Sequence, residues 1–216
     1  MPRVKVKKQS TLIDMTAMSD VTVLLLTFFM LTSTFIQKEP VQVSTPASVS
    51  EIKIPDVNVM QILVEPNGKV FLSIDKQDDR VAILEKVGEV YGIEFTSEEL
   101  KRFKLINSFG VPIKNMKQFL AMETSKQDEL VAEALKNNSR GIGIPVDTIF
   151  TSSSNELITW VKQARIYKQR RNEELAIAIK ADRTTPYSDI KMVMSSLQEI
   201  NENRYNLITS LKTIKE

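Results

Sequence analysis

An apolar run near the amino terminus limits what this chain can fold into. The run from Met15 to Ile36, MTAMSDVTVLLLTFFMLTSTFI, contains a single charged residue, Asp20. A helix rises ~1.5 Å per residue, so a helix over this run would be about 33 Å long, and the hydrocarbon core of a bilayer is roughly 30 Å thick. We therefore predict a transmembrane helix over residues 15–36.

Asp20 is the first candidate for a functional residue. A charged carboxylate in a membrane helix costs roughly 2.5 to 3.5 kcal/mol on insertion scales, and such residues usually mark ion paths. At 3.6 residues per turn, Thr16, Thr27 and Thr34 fall close to the line of Asp20. One interpretation is a polar stripe that faces a protein or a hydrated path, with Asp20 alternating between charged and neutral forms. The other is that the threonines bond only to their own helix and Asp20 caps its start together with Ser19.

The charges that flank the run predict its orientation. Four basic residues precede it, Arg3, Lys5, Lys7 and Lys8. On the other side, Lys38 and Glu39 nearly cancel. By the positive-inside rule, residues 1–14 form a cytoplasmic tail and the remainder lies across the membrane. A cleaved signal peptide is the alternative, but an acid within the run and the lack of a small-x-small site after it count against cleavage.

Composition excludes several classes of protein. The 29 basic and 27 acidic residues give a net charge of +2 and are interspersed, so we predict no nucleic-acid partner. The chain contains neither histidine nor cysteine, which excludes Ser/His/Asp and Cys/His nucleophilic sites and leaves only carboxylates for a metal. We predict no enzymatic activity, no cofactor and no metal site. A chain without cysteine also suits a periplasm.

The remainder of the chain is predicted to be a tether and one α+β domain. Residues 37–56 contain Pro40, Pro46 and Pro55, which favour an extended tether. In the domain, residues 57–216, Asn67-Gly68 separates two β-rich runs and predicts a hairpin. The pattern then predicts a helix over 80–91, a strand over 175–179, a helix over 187–200 capped by Ser188 or Thr185, and a strand over 204–211. This order places helices on one face of a sheet.

The region between these elements, about residues 92–172, is predicted to be largely helical. Helices are expected around 97–103, 115–123, 126–137 and 155–171, with Ser97 as the cap of the first. Trp160 is predicted to be a core residue. Lys168, Arg170 and Arg171 are interpreted as a solvated helix end because Glu173 and Glu174 follow them.

The apolar run resembles that of the ExbD/TolR family of proton-driven energy transducers. The similarity comprises Ile13 to Val21 (IDMTAMSDV), Leu24-Leu25-Leu26, Phe28-Phe29-Met30 and Thr32 to Phe35. Towards the carboxyl end, Ile177 to Lys180, Ala181-Asp182 and Thr185-Pro186-Tyr187 also follow the family order. One departure is Ala17, where the family usually has proline. The region of about 92–172 does not match the short family members and is interpreted as an insertion.

The resemblance implies a function and partners. Asp20 matches the family's proton carrier, and Thr16, Thr27 and Thr34 would line its path. The implied partners are an ExbB-like polytopic pore subunit around a homodimer of these helices and a TonB-like protein that receives the work, at the bacterial inner membrane. A TolR-like role in envelope integrity is the nearer alternative, and a membrane-tethered periplasmic binding module without proton transfer is the other.

Overall fold

The computed structural model describes residues 15–32, 45, 47–48, 57–137, 142–146, 155–208 and 210–211. By contacts, the chain divides into two compact units, Met1–Lys38 and Glu39–Glu216. The predicted tail 1–14, the last residues of the predicted membrane helix, 33–36, and most of the tether lie outside the described residues.

The first unit contains helix α1, Met15–Thr32. In the second unit the strands are β1 (Ala47–Ser48), β2 (Val59–Val64), β3 (Val70–Ile74), β4 (Ser108–Phe109), β5 (Ala176–Ala181), β6 (Tyr205–Ile208) and β7 (Ser210–Leu211). Its helices are α2 (Gln77–Tyr91), α3 (Ser97–Leu105), α4 (Ile113–Ala121), α5 (Thr124–Asn137), α6 (Glu156–Arg170) and α7 (Tyr187–Glu199). The predicted α+β class is confirmed.

Five strands form one mixed sheet in the order β4-β3-β2-β5-β6. β2 pairs antiparallel with β3 and parallel with β5, and β5 pairs parallel with β6. The connection from β5 through α7 to β6 is thus a βαβ unit, in which the helix packs back onto the sheet. The predicted closing strand over 204–211 is divided, since β7 pairs with β1 in a separate two-stranded ladder.

The predicted hairpin at Asn67-Gly68 is confirmed, with one difference in its turn. Gly68 has φ +73°, whereas the φ of Asn67 is not positive. The Gly68 amide donates to the Glu65 carbonyl at 2.9 Å, and the Glu65 amide donates to the Lys69 carbonyl at 3.0 Å. This is a type I turn followed by a left-handed glycine, and it suits Pro66, whose fixed φ fits the second turn position.

One buried cluster holds the sheet and its helices together. On one face, Met60 and Ile62 of β2 lie beside Ile177 and Ile179 of β5, and all four are fully buried. The cluster continues into the helices through side chains that recur every three or four residues: Ile83, Leu84 and Val87 of α2, and Val193 and Leu197 of α7.

The region 92–172 shares this core. The rings of Phe103, Phe109 and Trp160 pack together, with centroids 4.9 Å apart for the two phenylalanines and 4.7 Å apart for Phe109 and Trp160. Trp160 is fully buried, which confirms its prediction as a core residue. β4, which the sequence did not predict, joins the edge of β3 through Leu72 and Phe109.

Three local predictions are wrong. The cap of α3 is Thr96, which forms a capping box with Glu99, and Ser97 is the first helical residue. The residue before α7 is Pro186, and no side chain caps that helix. Lys168 is not part of a solvated helix end: it is 1% exposed, because its ammonium group is enclosed by the carboxylates of Asp79 and Glu173.

Candidate functional site

Asp20 lies inside helix α1 rather than at its start. The helix already begins at Met15, so Asp20 is about 7 Å further along its axis, in the second turn. An N-cap residue has a non-helical backbone and lies at the helix boundary. The interpretation of Asp20 and Ser19 as a start-of-helix cap is therefore wrong.

Three threonine hydroxyls of α1 bond to their own helix. Thr27 Oγ1 donates to the Leu24 carbonyl at 2.9 Å, Thr22 Oγ1 to the Met18 carbonyl at 2.8 Å, and Thr32 Oγ1 to the Phe28 carbonyl at 2.8 Å. This part of the alternative interpretation is confirmed for Thr27. A hydroxyl that donates to a carbonyl keeps its lone pairs, so the Thr27 hydroxyl is still able to accept a hydrogen bond from a donor such as water.

The predicted stripe is only partly described. Thr16, Asp20 and Thr27 all lie within α1, whereas Thr34 lies outside the described residues. At ~100° per residue, Thr27 projects within about 20° of Asp20, and Thr22 projects to nearly the opposite side. Every residue of α1 is exposed, including the side chains of Leu24, Phe28 and Phe29 at about 60%.

α1 meets the requirements of a membrane span by length and composition. Its 18 residues give about 27 Å of helix. An exposed surface this apolar is stable against lipid or the apolar helices of another protein. Within the described parts of the chain, no basic side chain forms an ion pair with Asp20. The carboxylate therefore lies in an apolar helix, and none of the described residues supplies a counter-charge.

The described residues contain no group of three or more His, Cys, Asp or Glu side chains placed to bind a metal. The polar side chains of α1 are the carboxyl group of Asp20 and the hydroxyl groups of its serine and threonines. They exchange protons and hydrogen bonds.

The sequence model of the family described as biopolymer transport protein ExbD/TolR matches residues 6–212. The chain belongs to the ExbD/TolR family. The match covers nearly the whole chain, including α1 and the region 92–172. Searches of curated proteins and of solved structures find no match.

Membership in the ExbD/TolR family establishes the coarse role of the chain. It is a subunit that energises biopolymer transport together with partners in a membrane-associated complex, and the family is a non-enzymatic, transport-associated one. With the apolar helix α1, it is a single-pass membrane protein.

The cluster around Lys168 is the polar feature that sequence reasoning missed. Lys168 continues the buried spacing of Trp160, Val161 and Ala164 along α6, so its position every three or four residues on that face predicted burial. The interpretation of Lys168 as part of a solvated helix end instead rested on the neighbouring charges of Glu173 and Glu174. Asp79, its main counter-charge, lies 89 residues away in the sequence, and local patterns do not reveal such a pair.

Proposed function

We propose that this protein is the proton-carrying subunit of an ExbB/ExbD-type motor in the bacterial inner membrane, which uses the proton motive force to energise TonB-dependent outer-membrane transport. The observation that carries the proposal is the position of Asp20 inside the apolar helix α1, without a counter-charge in the described chain. The basic residues before the run support a cytoplasmic amino terminus and a periplasmic domain.

In the proposed mechanism, Asp20 takes up a proton from one side of the membrane and releases it on the other. The charged carboxylate is disfavoured in hydrocarbon, whereas the neutral acid is tolerated. Protonation therefore allows the helix to shift within a pore subunit, and deprotonation restores a polar contact there. The membrane potential gives the cycle its direction, at ~2.3 kcal/mol per charge per 100 mV.

The partners follow from what α1 lacks. A single carboxylate on a largely apolar helix, with no counter-charge among the described residues, requires a surrounding protein to supply a path for protons. We propose that an ExbB-like polytopic subunit forms this path around a homodimer of α1 helices, and that Thr16, Thr27 and Thr34 line it. A TonB-like protein receives the work on the periplasmic side.

The central prediction concerns Asp20→Asn, which removes the titratable proton and keeps the size of the side chain. We expect it to abolish energy-dependent uptake of large outer-membrane substrates at normal protein levels in the membrane. Asp20→Glu, which keeps a carboxyl group, is the matched control and should retain part of the uptake. Normal uptake by the asparagine variant would refute the proposal.

A TolR-like role is the second candidate within the family, because the family description covers both ExbD and TolR. The two differ in the phenotype of a deletion strain. Loss of substrate uptake with normal detergent resistance supports the ExbD-like role, and loss of detergent resistance with normal uptake supports the TolR-like role.

The membrane-tethered binding module is a third candidate, in which α1 serves only as an anchor. It predicts full function when residues 1–36 are replaced by an unrelated membrane anchor. The proton-carrying role predicts loss of uptake from the same replacement.

A further inference from the structure

Asn58 is the second residue of the domain after the tether, and it is held by two separate groups. Its side-chain oxygen Oδ1 accepts a hydrogen bond from Lys168 Nζ at 2.8 Å. Its backbone carbonyl accepts one from the amide of Ala176 at 3.1 Å. Asn58 has φ +60°, a conformation that asparagine tolerates better than most residues. The start of β2 is therefore attached both to α6 and to β5.

The ammonium group of Lys168 joins three parts of the domain. Besides Asn58, it donates to Glu173 Oε2 at 2.7 Å and to the carboxylate of Asp79 in the first turn of α2. Lys168 and Asp79 are each 1% exposed. Charge-assisted hydrogen bonds are about twice as strong as neutral ones, and a buried cation whose partners are all present holds them in one arrangement.

Further basic residues close the cluster on its outer side. Lys76 Nζ lies 3.3 Å from Glu173 Oε2, and Arg171 lies 3.6 Å from both Asp79 and Glu173. Burial alone would lower the pKa of Lys168, but its hydrogen bonds with Asp79 and Glu173 outweigh burial and raise that pKa. The hydrogen bond from Lys168 lowers the pKa of Glu173. Both groups thus keep their charges at neutral and mildly acidic pH.

We propose that this cluster is a mechanical clamp, in which α6 of the region 92–172 holds the point where the tether joins the sheet. The inference rests on the proposed function, since there the work of α1 passes to the domain through residues 37–56. The two-residue ladder of β1 and β7 comes first along the tether, and Asn58 is then the first residue through which load reaches the five-stranded sheet. The clamp distributes that load to α2 and α6 as well as to β5, so that β2 is not pulled from the sheet alone.

Asn58→Gly tests the clamp more sharply than a change of Lys168. Replacing Lys168 by methionine leaves Asp79 buried without its cation, which destabilises the whole domain. Glycine at position 58 tolerates the positive φ, removes the hydrogen bond to Lys168, and leaves the ion pairs of Lys168 in place. Asn201→Gly is the matched control, because Asn201 also has φ +60° and its side chain is exposed.

The measurement is single-molecule pulling on the full chain in lipid nanodiscs. The chain has no cysteine, so cysteines introduced at the exposed residues Val57 and Tyr187 give unique attachment points, one of them next to Asn58. The line between them is called the tether axis. A second pair at the exposed Leu105 and Tyr187 gives an axis with no attachment point next to Asn58. We expect Asn58→Gly to speed rupture about tenfold along the tether axis, as for the loss of one hydrogen bond to a charged group. It should have little effect along the second axis, and Asn201→Gly should have little effect along either.

Equal acceleration along both axes, or no acceleration along the tether axis, would overturn the clamp and leave Lys168 with a purely structural role. The pulling experiment does not depend on proton transfer. If Asn58→Gly ruptures faster along the tether axis alone but Asp20→Asn keeps full uptake, the motor is refuted and the clamp is kept. If Asn58→Gly shows no such acceleration but Asp20→Asn loses uptake, only the clamp is refuted.

Discussion

Thr22 and Thr27 have the same side chain and the same type of hydrogen bond within α1, but they face different directions. Both hydroxyls donate to a carbonyl of the preceding turn. Thr27 projects close to Asp20, and Thr22 projects away from it. A comparison of the two separates a role in the proton path from a role in helix stability.

We expect Thr27→Val to lower energy-dependent uptake by roughly two- to tenfold, the effect of losing one hydrogen bond in a rate-limiting step. Valine keeps the branched shape of threonine and removes only the hydroxyl. Thr22→Val is the control and should leave uptake unchanged. Equal effects of the two variants on uptake would contradict a path along the Asp20 stripe.

Glu156 shows how burial changes a single carboxyl group. It is 6% exposed, and its Oε2 accepts a hydrogen bond from the amide of Ile113 at 2.9 Å. Burial raises its pKa above the usual 4.5, although the Ile113 hydrogen bond and Lys114 oppose the shift. The folded state thus binds this proton more tightly than the unfolded state does, and its stability falls as pH rises from 4.5 through the raised pKa.

Glu156→Gln removes this pH dependence and keeps an oxygen that accepts from Ile113. We expect the variant to become more stable relative to the native protein as pH rises from about 4.5 to 7. Urea unfolding of both proteins at the two pH values measures the difference. A difference in unfolding free energy that is the same at both pH values would show that Glu156 does not contribute.

At the scale of elements, the start of α3 depends on a capping box. Thr96 Oγ1 accepts from the Glu99 amide at 3.4 Å, and Glu99 Oε2 accepts from the Thr96 amide at 2.8 Å. This exchange satisfies two amides at the helix terminus that would otherwise lack a partner. Ser97, predicted as the cap, is one residue too late to do so.

Thr96→Ala should destabilise the domain by about 1 kcal/mol, the usual effect of removing a cap. Ser97→Ala should change stability by less than about 0.5 kcal/mol, as at most surface positions. Chemical denaturation followed by the fluorescence of Trp160, the single tryptophan, measures both. The opposite ranking would identify Ser97 as the cap.

At the scale of the whole molecule, the region 92–172 is attached to the hairpin at several points. Lys69 Nζ donates to the Ala134 carbonyl at 2.6 Å, and Asn67 Nδ2 donates to the Leu135 carbonyl at 3.0 Å. These bonds satisfy carbonyls in the last turn of α5, where a cation also interacts favourably with the helix dipole. Gly110 packs so closely that an added Cβ would lie 2.2 Å from the ring of Phe71.

We therefore expect deletion of residues 92–172 to abolish cooperative folding of the domain, because the deletion removes Trp160, Phe103 and Phe109 from the shared core. Far-ultraviolet circular dichroism during urea unfolding measures this. A single sharp transition in the deletion variant would show instead that this region is a separable module.

Much of the fold follows from local sequence patterns. The apolar run of α1 with Asp20, the Pro66-Asn67-Gly68 turn and the strand-helix-strand order after residue 175 are determined by hydrophobic periodicity and by turn residues, which act over a few neighbours. The candidate site was predictable for the same reason, since Asp20 is conspicuous against its own flanking residues.

Only the tertiary structure decided which carboxylates surround Lys168, the pairing of β4 with β3 and the joining of Asn58 to α6. Each depends on partners that are distant in the sequence, such as Lys168 and Asn58, which are 110 residues apart. A buried charge is tolerated only where its counter-charges meet it, and the fold of the whole domain determines where they meet. The sequence by itself thus determined where the proton-carrying candidate lies, and the tertiary structure decided how the start of β2 is attached to α6 and β5.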